Sequence, residues 1–128
     1  STRPWQHVLE PLSGYLCLAS KLQKNNKLNG ESFNFGPGKS KNYNVENIIK
    51  LIQKFFPNLK YKTFKKNIFF ESNLLKLNCT KSERLLNWKQ RMSLNMTVGF
   101  TAEWYLNYFE KKENYKFTIN QIKKYLKI

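Results

Sequence analysis

A lysine four residues after a tyrosine can support proton transfer, because its ammonium lowers the phenol pKa, and this spacing occurs twice, at Tyr61 with Lys65 and at Tyr108 with Lys112. With 7 Tyr and 20 Lys among 128 residues, composition alone accounts for about one such pair. Both pairs are therefore read as incidental. His7 is the single histidine and there is no aspartate, so no Ser-His-Asp triad can form, although a glutamate could take the third place. Cys17 and Cys79 have no histidine or cysteine neighbours at metal-ligand spacing, and both read as buried free thiols. The glycines, Gly14, Gly30, Gly36, Gly38 and Gly99, build no Gly-x-Gly-x-x-Gly turn. A dinucleotide cradle is thus not expected in these residues. What remains is a basic domain without catalytic residues or a metal set of its own.

The elements that must position the remaining candidates follow from periodicity and caps. Arg3 to Leu9 reads as a short strand, with Pro4 tolerable at its start or on an edge. From Pro11 the apolar residues Leu12, Tyr15, Leu16, Ala19 and Leu22 recur at three- and four-residue steps, predicting a helix stopped by Asn25 to Gly30. Glu31 to Phe35 reads as a strand ending in the Gly36-Pro37-Gly38 loop. Asn44 caps an expected helix to about Phe56, and Leu59 to Phe64 alternates like a strand. Leu74, Leu75 and Leu77 form an extended segment or turn. Thr80 with Glu83, and Thr118 with Gln121, fit the capping box and predict two helix starts. Ser93 caps the longest helix, whose face is Leu94, Val98, Ala102, Tyr105 and Phe109. Short strands alternating with about five helices give an α/β expectation. Since the first residues already enter a strand, with neither Met nor linker ahead, the chain is expected to be cut from something longer.

Composition bounds the partners. The length suits one domain. No apolar run approaches the roughly 20 residues of a membrane span, and no charged-then-apolar leader opens the sequence. A soluble, cytoplasmic protein without membrane contact is expected. The net charge of +15 raises the question of nucleic acid, but arginine, the better phosphate reader, occurs three times only. The lysines are read as a solvated surface rather than a nucleic-acid face.

Arg3-Pro-Trp-Gln-His-Val-Leu-Glu-Pro-Leu-Ser-Gly-Tyr-Leu16 resembles the segment that opens the substrate-binding lobe of CDP-glucose 4,6-dehydratases, members of the extended short-chain dehydrogenase/reductase superfamily. Gly30 to Pro37, Leu75 to Lys81, Glu103-Trp-Tyr105 and Phe117 to Ile122 resemble later pieces in the family's order, and Leu85-Leu-Asn-Trp-Lys89 is similar to its Leu-Gly-Trp-x-Pro turn. The resemblance covers nearly the whole chain but only the C-terminal third or so of such an enzyme. It implies that residues 1–128 form the C-terminal substrate-binding lobe of an extended Rossmann-type dehydratase. The missing N-terminal half would bind NAD, carry the catalytic Tyr-x-x-x-Lys, and supply the helix pair of a homodimer. The reaction implied oxidises C4 of a nucleotide-linked hexose, eliminates water across C5 and C6 and returns the hydride to C6.

The lobe's share would be recognition of a nucleotide-diphosphate sugar, CDP-glucose by the closest motifs. The resemblance places Arg3 against the diphosphate, which suits a guanidinium fork, and the competing reading pairs Arg3 with Glu10. Gln6 or His7 would line the nucleotide pocket, Trp5 reads as core, and Asn34 with Gly36 form a turn. Glu71 is retained from the second recognition segment, but Phe70 and Asn73 stand where basic side chains are expected. Phenylalanine offers phosphate no donor, so Lys76, Lys65 or Lys66 would have to compensate. Two other classes compete: a non-catalytic basic binding module, marked by steep salt dependence, and a degenerate remnant of the lobe.

Overall fold

A computed structural model describes residues 2–38, 43–63 and 75–128. Helix α1 runs Leu9–Leu22, α2 Val45–Ile52, α3 Leu94–Phe109 and α4 Asn114–Tyr125. A 3-10 turn at Asn26–Leu28 follows α1, and a π-type turn at Ser82–Leu86 precedes α3. α3 packs on α2 and α4, while α1 packs on both turns.

The α/β expectation is not met. Among the described residues the only β pairing is one isolated antiparallel bridge, Thr2 with Asn44. Arg3 to His7 and Glu31 to Phe35 form no strand. Alternating apolar residues make a strand only where a neighbour completes the hydrogen-bond ladder, and here side chains and single amides hold these segments instead. Gln6 Nε2 donates to the Phe35 carbonyl at 3.0 Å, Asn34 Nδ2 to the Asn78 carbonyl at 3.1 Å, and Ser82 Oγ to the Asn34 carbonyl. Residues 59–63 are likewise not a strand, and Phe64 lies outside the described residues.

The helices differ from expectation mainly at their starts. α1 begins at Leu9, two residues before Pro11, which the first turn accepts because amides there have no intrahelical partner anyway. The Asn44 cap is as expected and is completed reciprocally, Asn44 Oδ1 accepting from Asn47 N–H at 2.9 Å and Asn47 Oδ1 from Asn44 N–H at 3.1 Å. α2 ends at Ile52, short of Phe56, and continues as turns. Ser93 caps α3 as expected, its Oγ accepting from Met96 N–H at 3.3 Å. Thr118 is not a cap. It lies inside α4, where its hydroxyl donates to the Asn114 carbonyl at 2.8 Å and accepts from Trp104 Nε1 at 2.9 Å. Thr80 does start a helical turn, but Asn78 Oδ1 receives its amide at 3.0 Å. Asn87 follows Leu86 with φ 55, the left-handed geometry that glycine and asparagine accept most readily. It occupies the glycine position of the Leu-Gly-Trp turn to which the sequence is similar.

Leu28, Phe35, Leu86 and Trp88 form the core beside α1, with Cys17, Leu18, Leu22 and Phe33 against them. Phe35 meets Trp88 edge-on at 5.0 Å between centroids. Cys17 and Cys79 are free thiols; Cys79 is buried and Cys17 half-buried. Gly14 permits α1's close approach, since a Cβ there would sit 2.3 Å from the Phe35 ring. Gly14→Ala therefore lowers stability by about 2 kcal/mol despite alanine's higher helix propensity, read from the urea midpoint. A variant as stable as the wild type would show that Phe35 yields freely.

Candidate functional site

The N-terminal segment is pinned by its backbone before any ligand arrives. Thr2 bridges Asn44, Trp5 Nε1 donates to the Tyr43 carbonyl at 3.0 Å, and Leu75 N–H donates to the Thr2 carbonyl at 3.3 Å. Arg3 Nη1 donates to that same Thr2 carbonyl at 2.9 Å. Arg3 Nη1 and the Leu75 amide thus converge on one carbonyl, and Lys76 is the next residue along the chain from that contact. Lys76 is exposed and Arg3 half-buried. Arg3 is not bridged to Glu10 by any ion pair found among the described residues. Glu10 has other work.

Gln6 and His7 diverge, as neighbours on extended backbone must. Gln6 turns toward Phe35, and its Oε1 is buried without a donor among the described residues. His7 meets the Phe100 ring edge-on at 5.6 Å, and its Nδ1 accepts the Leu9 amide at 3.3 Å. That acceptor role places the neutral ring's proton on Nε2. Both residues border a cleft of about 310 Å³ between the start of α1, α3 and α4, walled also by Trp104, Tyr105 and Gln121. Glu71, Lys65, Lys66, Phe70 and Asn73 lie outside the described residues. Of the residues picked out from sequence, the structure brings Gln6 and His7 to one cleft, while Arg3 shares the Thr2 carbonyl with Leu75, the neighbour of Lys76.

Burial pushes the His7 pKa below its usual 6.5, and the nearby Glu10 opposes this more weakly. Between the folded and unfolded values the unfolded chain binds more protons, so stability falls as pH drops below about 6.5 and is fully present above it. Denaturant midpoints at about pH 7.5 and pH 5.5 check this: wild type loses more over the interval than His7→Gln, which does not titrate there. Equal losses would remove His7 from the account.

The group that fixes the site's geometry is one the sequence offers only as an alternative partner for Arg3. Glu10 is fully buried at the start of α1. Its Oε1 accepts from Met92 N–H at 2.7 Å and Arg91 N–H at 3.0 Å, and its Oε2 lies 3.0 Å from the Tyr125 hydroxyl on α4. Ser13 Oγ sits 2.9 Å from that hydroxyl and accepts from Trp88 Nε1 at 2.8 Å. Burial raises the Tyr125 pKa, which keeps the phenol protonated as a donor. One carboxylate so joins α1, the 88–92 segment and α4 immediately behind His7. In sequence it reads as a partner for Arg3 or as an acid in a first helical turn. Among the described residues four surface lysines are paired with glutamates, Lys50 with Glu46, Lys81 with Glu31, Lys112 with Glu110 and Lys116 with Glu113. Among the described residues no three His, Cys or Glu side chains gather as a metal set, and no helix is long and apolar enough to cross a membrane.

No protein-family model matches the chain. Individual proteins do, among them a nucleotide-sugar dehydratase and a nucleotide-sugar epimerase. The chain is 37% identical over 106 residues to the CDP-glucose 4,6-dehydratase of Salmonella typhimurium, covering 82% of this chain and 30% of that protein. It is 28% identical over 110 residues to the UDP-glucose 4-epimerase of Mycoplasma pneumoniae, covering 85% of this chain and 32% of the epimerase. The chain therefore spans about a third of the length of the curated relatives it matches.

Proposed function

We propose that the chain is the sugar-nucleotide-binding part of an NAD-dependent CDP-glucose 4,6-dehydratase-like enzyme, a lyase forming a 4-keto-6-deoxy sugar for polysaccharide synthesis. On this reading residues 1–128 are its C-terminal lobe. The NAD site and the catalytic tyrosine belong to a companion N-terminal part, and the complete cytoplasmic enzyme is a homodimer. The observation that carries the proposal is the convergence of Arg3 Nη1 and the Leu75 amide, next in sequence to Lys76, on the Thr2 carbonyl. A guanidinium fork beside an ammonium suits a diphosphate, where each charge-assisted bond is about twice as strong as a neutral one. Gln6 and His7 supply polar edges to an aromatic-walled cleft, and Glu71 would complete the set. Lys76 would offset the loss of basic residues at Phe70 and Asn73.

The chain's own contribution is binding and orientation. Arg3 and Lys76 would hold the diphosphate, while the Glu10 network keeps the start of α1 fixed so that the sugar meets the companion part in one orientation. Calorimetry on the 128-residue chain tests the division of labour: neither NAD nor CDP-glucose binds it with micromolar affinity. Tight NAD uptake would overturn the proposal.

A further inference from the structure

We infer that the cleft between α2 and the start of α3 is a second ligand site, one that takes the phosphate group of a small phosphorylated organic molecule. The cleft holds about 370 Å³, the size of a small-molecule pocket. Neither Arg3 nor Lys76 lines it, so it is separate from the place given above to the diphosphate of a sugar nucleotide. Two cations border it, Lys50 on α2 and Lys54 one turn further on, and both are exposed. Among the described residues no glutamate lines it, and no acid stands in the first turn of α3. Glu46 holds Lys50 at 2.8 Å, but the two side chains are 62% and 52% exposed, so the pair contributes little and opens readily to a stronger anion. Lys54 forms no ion pair among the described residues.

The neutral side chains favour the same class of ligand. Both helix caps consume an acceptor and leave a donor over. Asn47 Oδ1 accepts from Asn44 N–H at 3.1 Å, which leaves Asn47 Nδ2 to donate. Ser93 Oγ accepts from Met96 N–H at 3.3 Å, which leaves its hydroxyl proton. Two ammoniums with spare donors and no carboxylate are unsuited to a metal ion and suit phosphate oxygens. Leu51 and Leu94 give the cleft an apolar wall on which the organic part of the ligand rests. A cleft of this volume takes one such molecule, whereas a nucleic acid needs a track of phosphate contacts.

Titration of the isotopically labelled chain with phenyl phosphate, inorganic phosphate and phenol tests this by chemical shift. Phenyl phosphate is expected to move Lys50, Lys54, Ser93 and Asn95 to saturation in the millimolar range. Inorganic phosphate should move the same residues but bind several-fold more weakly, and phenol should leave them in place. Lys50→Ala with Lys54→Ala should weaken phenyl phosphate binding about ten-fold. Both side chains are exposed, so the fold is retained, which circular dichroism checks. Lys54→Glu alone, a charge reversal, should weaken binding at least as much. Lys123→Ala with Lys124→Ala removes the same charge from the last turn of α4 and should change nothing, as should Arg3→Ala. Equal weakening by the two double variants would reduce the site to general attraction by a basic chain. Loss of binding in Arg3→Ala would merge it with the diphosphate position. Either result, an equal response to phenol, or shifts that never saturate would overturn the inference.

Discussion

Glu10→Ala is expected to destabilise the chain by about 4 kcal/mol, read as a large fall in the urea midpoint. The truncation strands the amide of buried Met92, takes the acceptor from the Arg91 amide and leaves the buried Tyr125 hydroxyl with Ser13 Oγ alone. Each buried group left unsatisfied costs about 1–3 kcal/mol. A void adds to that. Glu10→Gln separates shape from acceptor capacity. It keeps one carbonyl oxygen for the amides but turns the other position into a donor facing Tyr125, so an intermediate loss of about 2 kcal/mol is expected. Tyr125→Phe removes the hydroxyl alone, and should cost about 1 kcal/mol. If Glu10→Ala were as stable as wild type, the junction of α1, the 88–92 segment and α4 would not depend on this carboxylate.

Arg3→Ala should weaken sugar-nucleotide binding about ten-fold or more, and Arg3→Lys by less, since lysine keeps the charge but not the fork. Lys76→Ala should weaken it several-fold, because an exposed ammonium is a screened point charge. The Thr2–Asn44 bridge and the bond from Leu75 to Thr2 are backbone contacts that neither substitution removes. Titration of each variant with CDP-glucose, followed by chemical shift, gives the comparison. Equal affinities across the series would remove the diphosphate role from these residues.

The caps at Asn44 and Ser93 were legible because a polar side chain satisfying helix-end amides is a local event, complete within four residues. Thr118 shows the limit of the same signal. The Thr-x-x-Gln spacing is present, but Thr118 instead bonds Trp104 across the α3–α4 contact, a partner 14 residues away. The strands failed for a related reason. Phe33 and Phe35 alternate as a strand would, yet a ladder needs a second segment in register, and alternation cannot say whether one exists. The site was legible in a different way: Arg3, Gln6 and His7 came from a motif of consecutive residues. The approach of the Leu75-Lys76 segment to Arg3 depends on the bond from Leu75 to Thr2, which no spacing encodes. Glu10 entered from that motif only as an alternative partner for Arg3, since nothing in the identity of a first-turn glutamate tells that it turns inward to serve the amides of Arg91 and Met92.

The most direct test of the sugar-nucleotide role is a shift-mapping titration of the isotopically labelled 128-residue chain with CDP-glucose, pyrophosphate and glucose, each at millimolar concentration. Diphosphate-bearing ligands are expected to move the resonances of Arg3, Lys76 and their neighbours at Thr2 and Leu75, with Gln6 and His7 responding to CDP-glucose alone and glucose moving none of them. Shifts spread evenly over the lysines of every helix, or no response around Arg3, would contradict it.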